Sequence, residues 1–297
     1  MKANTKRGIA FAMTAAVLYA VNLPFSKIML TYMPPTLMAG FLYLGAGLGM
    51  FFIKLFGRNK KEEKLTRADL PYTIAMIVLD IAAPICLLVG LNSTSASAAS
   101  LLNNFEIVAT AVIALFIFKE KISVRLWLGI GFVTTSCILL SANDFSHMEF
   151  STGSLFILLA AVCWGLENNC TRAISSKNPL EIVLIKGVFS GTGSIIMGLC
   201  IGERLENPQS IPIVLLIGVV AYGLSIFFYI YAQRTLGAAR TSAYYATSPF
   251  IGALLSLIIF REKPATEYLI AFLIMIIGAW LSLDDKPISE IIRRDCK

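Results

Sequence analysis

Two stretches of this sequence decide its fold: AAVLYAVNLPFSK at residues 15–27 and AAVCWGLENNCTR at residues 160–172. The second follows the first at an offset of 145 residues. Their alignment pairs Tyr19 with Trp164, Asn22 with Glu167 and Lys27 with Arg172. Similarity at a fixed separation of about half the chain indicates that the two halves are copies of one structural unit.

The ends of the two halves also match. ALFIFKEK at residues 114–121 aligns with SLIIFREK at residues 256–263, at an offset of 142, and one last apolar segment follows each. The matching segments therefore occur in the same order in both halves. We place the two copies at residues 1–145 and 146–286, followed by a short tail at residues 287–297.

The composition is that of a membrane protein. Of the 297 residues, 57% are hydrophobic and 14% are charged, whereas a soluble domain carries roughly 25% charged residues. Apolar runs long enough to cross the ~30 Å hydrocarbon core as helices recur along the whole chain. We predict an all-α membrane protein with ten transmembrane helices, at residues 8–30, 35–56, 71–91, 95–118, 124–141, 152–173, 180–201, 211–232, 239–260 and 266–284.

The basic residues predict the orientation of these helices. The N-terminal segment, the even-numbered loops and the C-terminal tail hold 20 of the 25 Lys and Arg residues, among them Arg58, Lys60 and Lys61. Because positive residues concentrate on the cytoplasmic side, both termini are predicted to be cytoplasmic. Two cytoplasmic termini require an even number of helices, and ten satisfies that requirement.

Five helices in each half is an odd number, so the second copy must lie upside down relative to the first. Inverted repeats recur in transporters, because two similar halves can exchange conformations and expose a central site to each side in turn. The repeat therefore predicts a transporter that works by alternating access.

The doubled five-helix pattern, with FKEK or FREK before the last helix of each half, resembles the drug/metabolite transporter superfamily, specifically its EamA group. The resemblance covers about residues 8–284 and implies a bundle of two inverted halves around a central cavity. Members often carry an acidic residue followed by proline in the fourth and ninth helices. This chain divides that pattern, with Glu106 before Ile107 in one half and Ser248 before Pro249 in the other.

The resemblance also implies a function: secondary transport of a small metabolite across a bacterial-type inner membrane, with export the commoner direction. Uptake and exchange would use the same architecture and stay open. The substrates of the family are diverse, so the resemblance does not choose among them.

Ionisable groups inside the predicted helices are the first candidates for a functional site, because each costs roughly 2.5–3.5 kcal/mol at a helix centre on insertion scales. The inner positions of this chain hold Asp80, Glu106, Glu167 and Lys186. Glu106 is the first choice, since the resemblance and its central position agree. Loss of water there would favour the neutral carboxyl, so Glu106 could bind and release a proton during transport. Asp80 and Glu167 are the other proton-coupling candidates.

Polar and aromatic stripes accompany these acids. The predicted substrate-binding residues are Tyr19, Asn22, Asp80, Asn103, Glu106, Trp164, Glu167, Asn168, Tyr222, Tyr245 and Ser248. Aromatic walls with a few acidic and amide groups suit a small zwitterionic or cationic organic molecule.

Structural interpretations stand beside the functional ones. Glu167 could form an ion pair with Arg172 or Lys186, and Asp80 could bond a neighbouring helix. The glycine-rich segments GAGLG at 45–49 and GVFSG at 187–191 favour close helix packing within the bundle, with a homodimer contact as the second option. Both a monomer and a homodimer stay open.

Other classes of function fit poorly. The basic residues form no continuous face for nucleic acid, and the single histidine, His147, lies in the polar loop between the halves. A metalloenzyme or a serine protease would need more histidine or a base near its nucleophile. We therefore expect no metal, no cofactor and no catalysis. A channel stays open as an alternative, although no repeated filter is present.

Overall fold

The computed structural model describes residues 2–56, 62–117, 119, 123–144, 149–261, 264 and 266–283. Several predictions concern residues outside these ranges: the tail at 287–297, His147, and the basic residues Arg58, Lys60 and Lys61. Within the described residues the regular secondary structure is helical apart from one pair of short antiparallel strands between the halves, β1 (Ala142–Asp144) and β2 (Glu149–Phe150).

Among its described residues the first half contains seven α-helices. They are α1 (Lys2–Ala20), α2 (Asn22–Met29), α3 (Pro35–Phe56), α4 (Leu70–Asn92), α5 (Ala96–Leu102), α6 (Phe105–Phe116) and α7 (Val124–Ser141). The second half contains eight. They are α8 (Thr152–Ala173), α9 (Pro179–Ile185), α10 (Gly191–Cys200), α11 (Ile211–Ile217), α12 (Ser225–Leu236), α13 (Ala238–Tyr245), α14 (Ser248–Phe260) and α15 (Thr266–Leu283). One-turn 3₁₀ helices at Arg67–Asp69 and Pro208–Ser210 precede α4 and α11.

Three predicted transmembrane helices are interrupted. The first breaks between α1 and α2, where Pro24 has no N–H to donate to the carbonyl group four residues earlier, that of Ala20. The fourth breaks at Asn103 and Asn104, and there the N–H of Glu106 bonds the carbonyl of Asn103 at 3.1 Å, one residue nearer than in an α-helix. The ninth breaks between α13 and α14, just before Pro249. The fourth and ninth helices are counterparts in the two halves, so this interruption is shared by the copies.

Two further helices carry a π-helical turn, in which one extra residue widens the backbone. The first π segment, Lys186–Ser190, joins α9 to α10, and the second, Gly218–Leu224, joins α11 to α12. Such insertions occur frequently at functional sites, because they turn a side chain away from its regular helical direction.

Seven continuous or nearly continuous helices are long and apolar enough to cross a membrane, and three shorter apolar helices, Trp127–Leu139, Ser248–Phe260 and Thr266–Leu281, lie where the fifth, ninth and tenth were predicted. The all-helical membrane fold is therefore confirmed. The count of ten crossings and the cytoplasmic position of both termini stay predictions.

Counterpart helices of the two halves pack against each other in opposite directions. Going along α3, Leu37 faces Gly198, Gly40 faces Gly191 and Gly47 faces Gly187, so the numbers rise on one side as they fall on the other. The last helices behave alike: Val133 of α7 packs on Gly278 of α15, and the Ser136 hydroxyl donates to the Ala271 carbonyl at 2.6 Å. Antiparallel counterparts are what an inverted repeat requires.

The predicted glycine-rich segments account for the closeness of this packing. A Cβ atom built on Gly187 would lie 2.2 Å from the backbone nitrogen of Gly47, and one built on Gly218 would lie 2.1 Å from the carbonyl oxygen of Leu42. Both glycines belong to π segments, and both meet α3. The glycine segments thus pack within the bundle, and α3 approaches both π segments at backbone distance.

Replacement of Gly187 by alanine should destabilise the protein, because the new methyl group meets backbone atoms that cannot rotate away. We expect Gly187→Ala to lower the free energy of unfolding by about 1–3 kcal/mol, seen as a lower melting temperature of the purified protein in detergent. Gly131→Ala in α7 is the matched control, since a Cβ there has no neighbour within 4 Å. Equal melting temperatures for the two variants would contradict the close packing.

Candidate functional site

A central cavity lies between the two halves, and the space free of protein atoms there is about 480 Å³ with open solvent included. Eight of the predicted site residues line it: Tyr19, Asp80, Glu106, Trp164, Glu167, Asn168, Tyr222 and Tyr245. The other lining residues are Tyr43, Thr171, Lys186, Ile226 and Tyr229. The sequence analysis therefore identified side chains that are far apart in the chain but close together in space.

Three predicted residues lie behind the cavity wall. Asn22 donates its amide N–H to the Tyr222 hydroxyl at 3.4 Å and accepts from the Ser26 hydroxyl at 3.0 Å, so it positions Tyr222. Asn103 lies at the break before α6 and Ser248 begins α14, and both line a separate, smaller gap that Tyr19 also borders. The side-chain amide oxygen of Asn103 (Oδ1) and the Ser248 hydroxyl have no hydrogen-bond partner among the described residues.

The base of the cavity holds a buried ion triad of Asp80, Glu167 and Lys186. The Lys186 ammonium lies 3.2 Å from Asp80 Oδ2 and also forms an ion pair with Glu167 Oε1. All three side chains are at most 5% exposed. Of the two partners considered for Glu167, the structure selects Lys186. Lys186 is the first residue of its π segment, which directs it toward α4 and α8.

Two hydroxyl groups donate hydrogen bonds to the carboxylates of the triad. Tyr43 of α3 donates to Asp80 Oδ1 at 2.7 Å, and Thr171, one turn after Glu167 on α8, donates to Glu167 Oε1. Each carboxylate thus has an ammonium and a hydroxyl partner. Such pairing is needed here, because an ion moved into a low-dielectric interior loses several kcal/mol of solvation. The contact of Lys186 with Asp80 Oδ2 is an ion pair and not a hydrogen bond.

Glu106 stands apart from the triad. Its carboxylate accepts one hydrogen bond from the Asn168 amide at 2.6 Å, and no cationic side chain pairs with it among the described residues. Asn168 is itself held by Gln233, whose amide donates to the Asn168 backbone carbonyl at 3.0 Å. Glu106 also lies in the first turn of α6, where the helix dipole favours a negative charge. It is therefore a carboxylate fixed in position without a counter-ion.

Six aromatic rings form a continuous cluster along the cavity. Tyr19 is at its centre, with ring centroids 6.3 Å from Trp164, 6.0 Å from Tyr222 and 5.5 Å from Tyr245. Tyr43 extends the cluster beyond Tyr222 at 5.0 Å, and Tyr229 extends it beyond Tyr245 at 4.9 Å. Most pairs are tilted or edge-to-face, the arrangement that the ring quadrupoles favour.

Two of the tyrosine hydroxyls bind side chains that do not line the cavity. Tyr229 shares a hydrogen bond with Ser242 at 2.7 Å, and Tyr245 shares one with Ser225 at 3.3 Å. With their polar ends held in this way, the rings contribute mainly their apolar and π surfaces to a solute. Such surfaces attract organic cations.

Sequence reasoning missed five lining residues. Tyr43 could have been found, because it lies as deep in its predicted helix as Tyr19 and Tyr222, and Tyr229 belongs to a recognisable stripe with Tyr222 and Ser225. Lys186 was named among the ionisable candidates and as a possible partner of Glu167, but it was not among the predicted substrate-binding residues. Ile226 and Thr171 carry no sequence signal, since an apolar or a small hydroxyl residue is ordinary in a membrane helix.

Comparison with known proteins agrees with this architecture. The sequence profile of the EamA-like transporter family matches the chain twice, at residues 6–142 and 151–283. An uncharacterised transporter of Methanothermobacter thermautotrophicus is 28% identical over 294 residues, which cover 92% of this chain and 85% of that protein. The uncharacterised transporter YyaM of Bacillus subtilis is 23% identical over 78% of this chain and 79% of its own length. A protein of known crystal structure has the same fold, with a TM-score of 0.71 over 93% of this chain and 95% of its own at 15% identity.

The ion triad predicts a non-additive effect of mutations on stability. Lys186→Met leaves two buried carboxylates without their cation, and we expect a loss of about 3–5 kcal/mol in the free energy of unfolding, measured by thermal unfolding in detergent. Adding Asp80→Asn and Glu167→Gln to Lys186→Met should recover most of that loss. Lys54→Met, at an exposed position of α3, is the control. A Lys186→Met variant that melts with the control would show that the triad does not stabilise the fold.

Proposed function

Since this chain belongs to the EamA-like transporter family and is a multi-pass membrane transporter, we propose that it is a secondary carrier of a small organic molecule. The molecule bears a cationic or zwitterionic group and crosses the membrane by alternating access. The observation that carries this proposal is Glu106, a buried carboxylate without a counter-ion beside a cluster of aromatic rings. A positively charged group is the natural occupant of such a position.

The contacts between the halves support alternating access. At one end of the bundle, Arg234 Nη2 of α12 lies 2.6 Å from Glu62 Oε2, which follows α3 in the chain. At the opposite end of α3, Glu203 accepts hydrogen bonds from the backbone N–H groups of Thr36 at 3.1 Å and Leu37 at 2.8 Å. Each of these contacts joins the first half to the second. A rocking motion would break one set while keeping the other, and so expose the cavity to one side at a time.

Glu106 is also the group that we propose couples transport to protons. Its carboxylate can be neutralised either by a proton or by the cationic group of the solute. Competition for one carboxylate links the two binding events, so a proton gradient could drive the solute in the opposite direction. Asp80 and Glu167 are the alternative coupling groups, although both are already occupied by Lys186.

We place the carrier in the inner membrane of a bacterial-type cell, with both termini in the cytoplasm, and assign it to export. The basic residues of the even-numbered loops support the orientation. Export is the direction suggested by resemblance, and uptake or exchange would use the same cavity.

A carrier shows counterflow of its solute, whereas a channel does not. The purified protein in liposomes preloaded with unlabelled solute should accumulate labelled solute transiently, because each transport cycle returns one molecule for another. We expect saturable counterflow with at least one amine or amino acid of a labelled panel. Flux without trans-stimulation would indicate a channel instead.

Glu106→Gln should abolish accumulation driven by a pH gradient and leave the fold intact. Glutamine keeps the shape and the contact with Asn168 but cannot bind or release a proton. The measurement is uptake into liposomes with an imposed pH gradient, with the melting temperature as the test of folding. Glu267→Gln, at an exposed position of α15, is the matched control. Full retention of gradient-driven uptake by Glu106→Gln would assign coupling to another group.

A further inference from the structure

On the basis of the proposed function, we infer that the solute is an organic amine without a carboxylate, and that the binding of Lys186 by Asp80 and Glu167 excludes amino acids. This assignment narrows the zwitterionic or cationic class to monocations with an apolar body. It rests on which charges of the cavity are already paired and which are not.

The cavity wall carries more negative than positive groups. Its described lining residues include three carboxylates, Asp80, Glu106 and Glu167, and one ammonium, that of Lys186. Lys186 contacts two of the carboxylates, so its charge is fully neutralised. A solute carboxylate would meet no unpaired cation and would lie in a cavity that already carries excess negative charge. Its loss of water would have no compensation from a cation.

Neutral hydrogen-bond donors could bind a carboxylate of the solute in place of a cation. The hydroxyl hydrogens of Tyr43 and Thr171 are donated to Asp80 and Glu167, and the Asn168 amide is donated to Glu106. These groups serve the carboxylates of the protein itself.

The helix break before α6 could also bind a carboxylate of the solute, because an exposed helix N-terminus is a common site for such a group. The N–H groups of Glu106 and Ile107 in that turn already bond the carbonyls of Asn103 and Asn104, at 3.1 and 3.0 Å. The Glu106 carboxylate itself lies in the same turn. The break therefore attracts a cation rather than an anion.

The remaining features fit the amine. Its ammonium group would pair with Glu106, beside the rings of Tyr19, Tyr229 and Tyr245, which line the cavity together with that carboxylate. Its apolar body would contact Trp164 and Ile226.

The test compares molecules that differ only in the α-carboxylate. Phenethylamine, tyramine, tryptamine and isoamylamine are each paired with phenylalanine, tyrosine, tryptophan or leucine, and the methyl ester of each amino acid is the third member. The ester keeps the bulk near the ammonium but removes the negative charge. Binding to the full-length protein in detergent is measured by the rise in melting temperature, and exchange is measured by counterflow in liposomes.

We expect at least one amine and its corresponding ester to bind more than tenfold more tightly than the parent amino acid. An amino acid that binds as tightly as its amine would overturn the inference and leave the carrier function standing. Esters that bind as weakly as the amino acids would also overturn it, because size and not charge would then decide. Failure of every amine to bind would likewise overturn the inference. Absence of counterflow with any of these solutes or with a panel of anionic metabolites would instead contradict the proposed carrier function.

Variants of the triad provide a second readout. Asp80→Asn releases Lys186 from one of its carboxylates, so the preference for an amine over its amino acid should fall at least several-fold. Glu167→Gln should act in the same direction and serves if Asp80→Asn does not fold. Glu267→Gln, at an exposed position of α15 outside the cavity, should leave the ratio of the two affinities unchanged. A preference that stays at the wild-type value in both folded triad variants would show that Lys186 does not determine selectivity.

Discussion

A lysine can keep its charge in the middle of a bilayer only where carboxylates neutralise it, and Lys186 meets this condition with Asp80 and Glu167. The pairing fixes three elements at once, because Asp80 is on α4, Glu167 is on α8 and Lys186 begins a π segment. Tyr43 adds α3 through its bond to Asp80. Four helices from both halves therefore meet at one point for an electrostatic reason, and the cavity is the space beside that point.

The aromatic cluster provides what the ion triad cannot. Buried charges alone would favour collapse of the helices around them or entry of water, whereas six large rings hold the walls apart with favourable edge-to-face contacts. Hydrogen bonds behind the wall, such as the one from the Asn22 amide to Tyr222 and the one shared by Tyr245 and Ser225, fix the ring orientations. The site is thus largely formed before any solute enters, which lowers the entropic cost of binding.

Much of the fold was predictable, because membrane insertion imposes simple rules on sequence. The length of the apolar runs predicted the helices, and the repeat beginning at Ala15 and Ala160 predicted two halves in opposite orientation. The residues at the interruptions and π segments were not predicted. Asn103, Asn104 and Gly187 look the same in a one-dimensional pattern whether the backbone around them is regular or not, and only packing against the other half decides. Charge pairing was open for the same reason: Arg172 and Lys186 were equal candidates for Glu167 until α9 was placed in space.

The glycine faces of α3 and of the first π segment are turned toward each other, backbone against backbone. These glycine faces are therefore buried within one chain and do not form part of the surface that meets lipid. What α3 presents to the surroundings is bulky instead: Phe51, Phe52 and Phe56 are 50%, 54% and 81% exposed. A contact between two copies made through this face of α3 would involve such rings, at the separation that their size imposes, and would not reproduce the close backbone contact on which the interior depends.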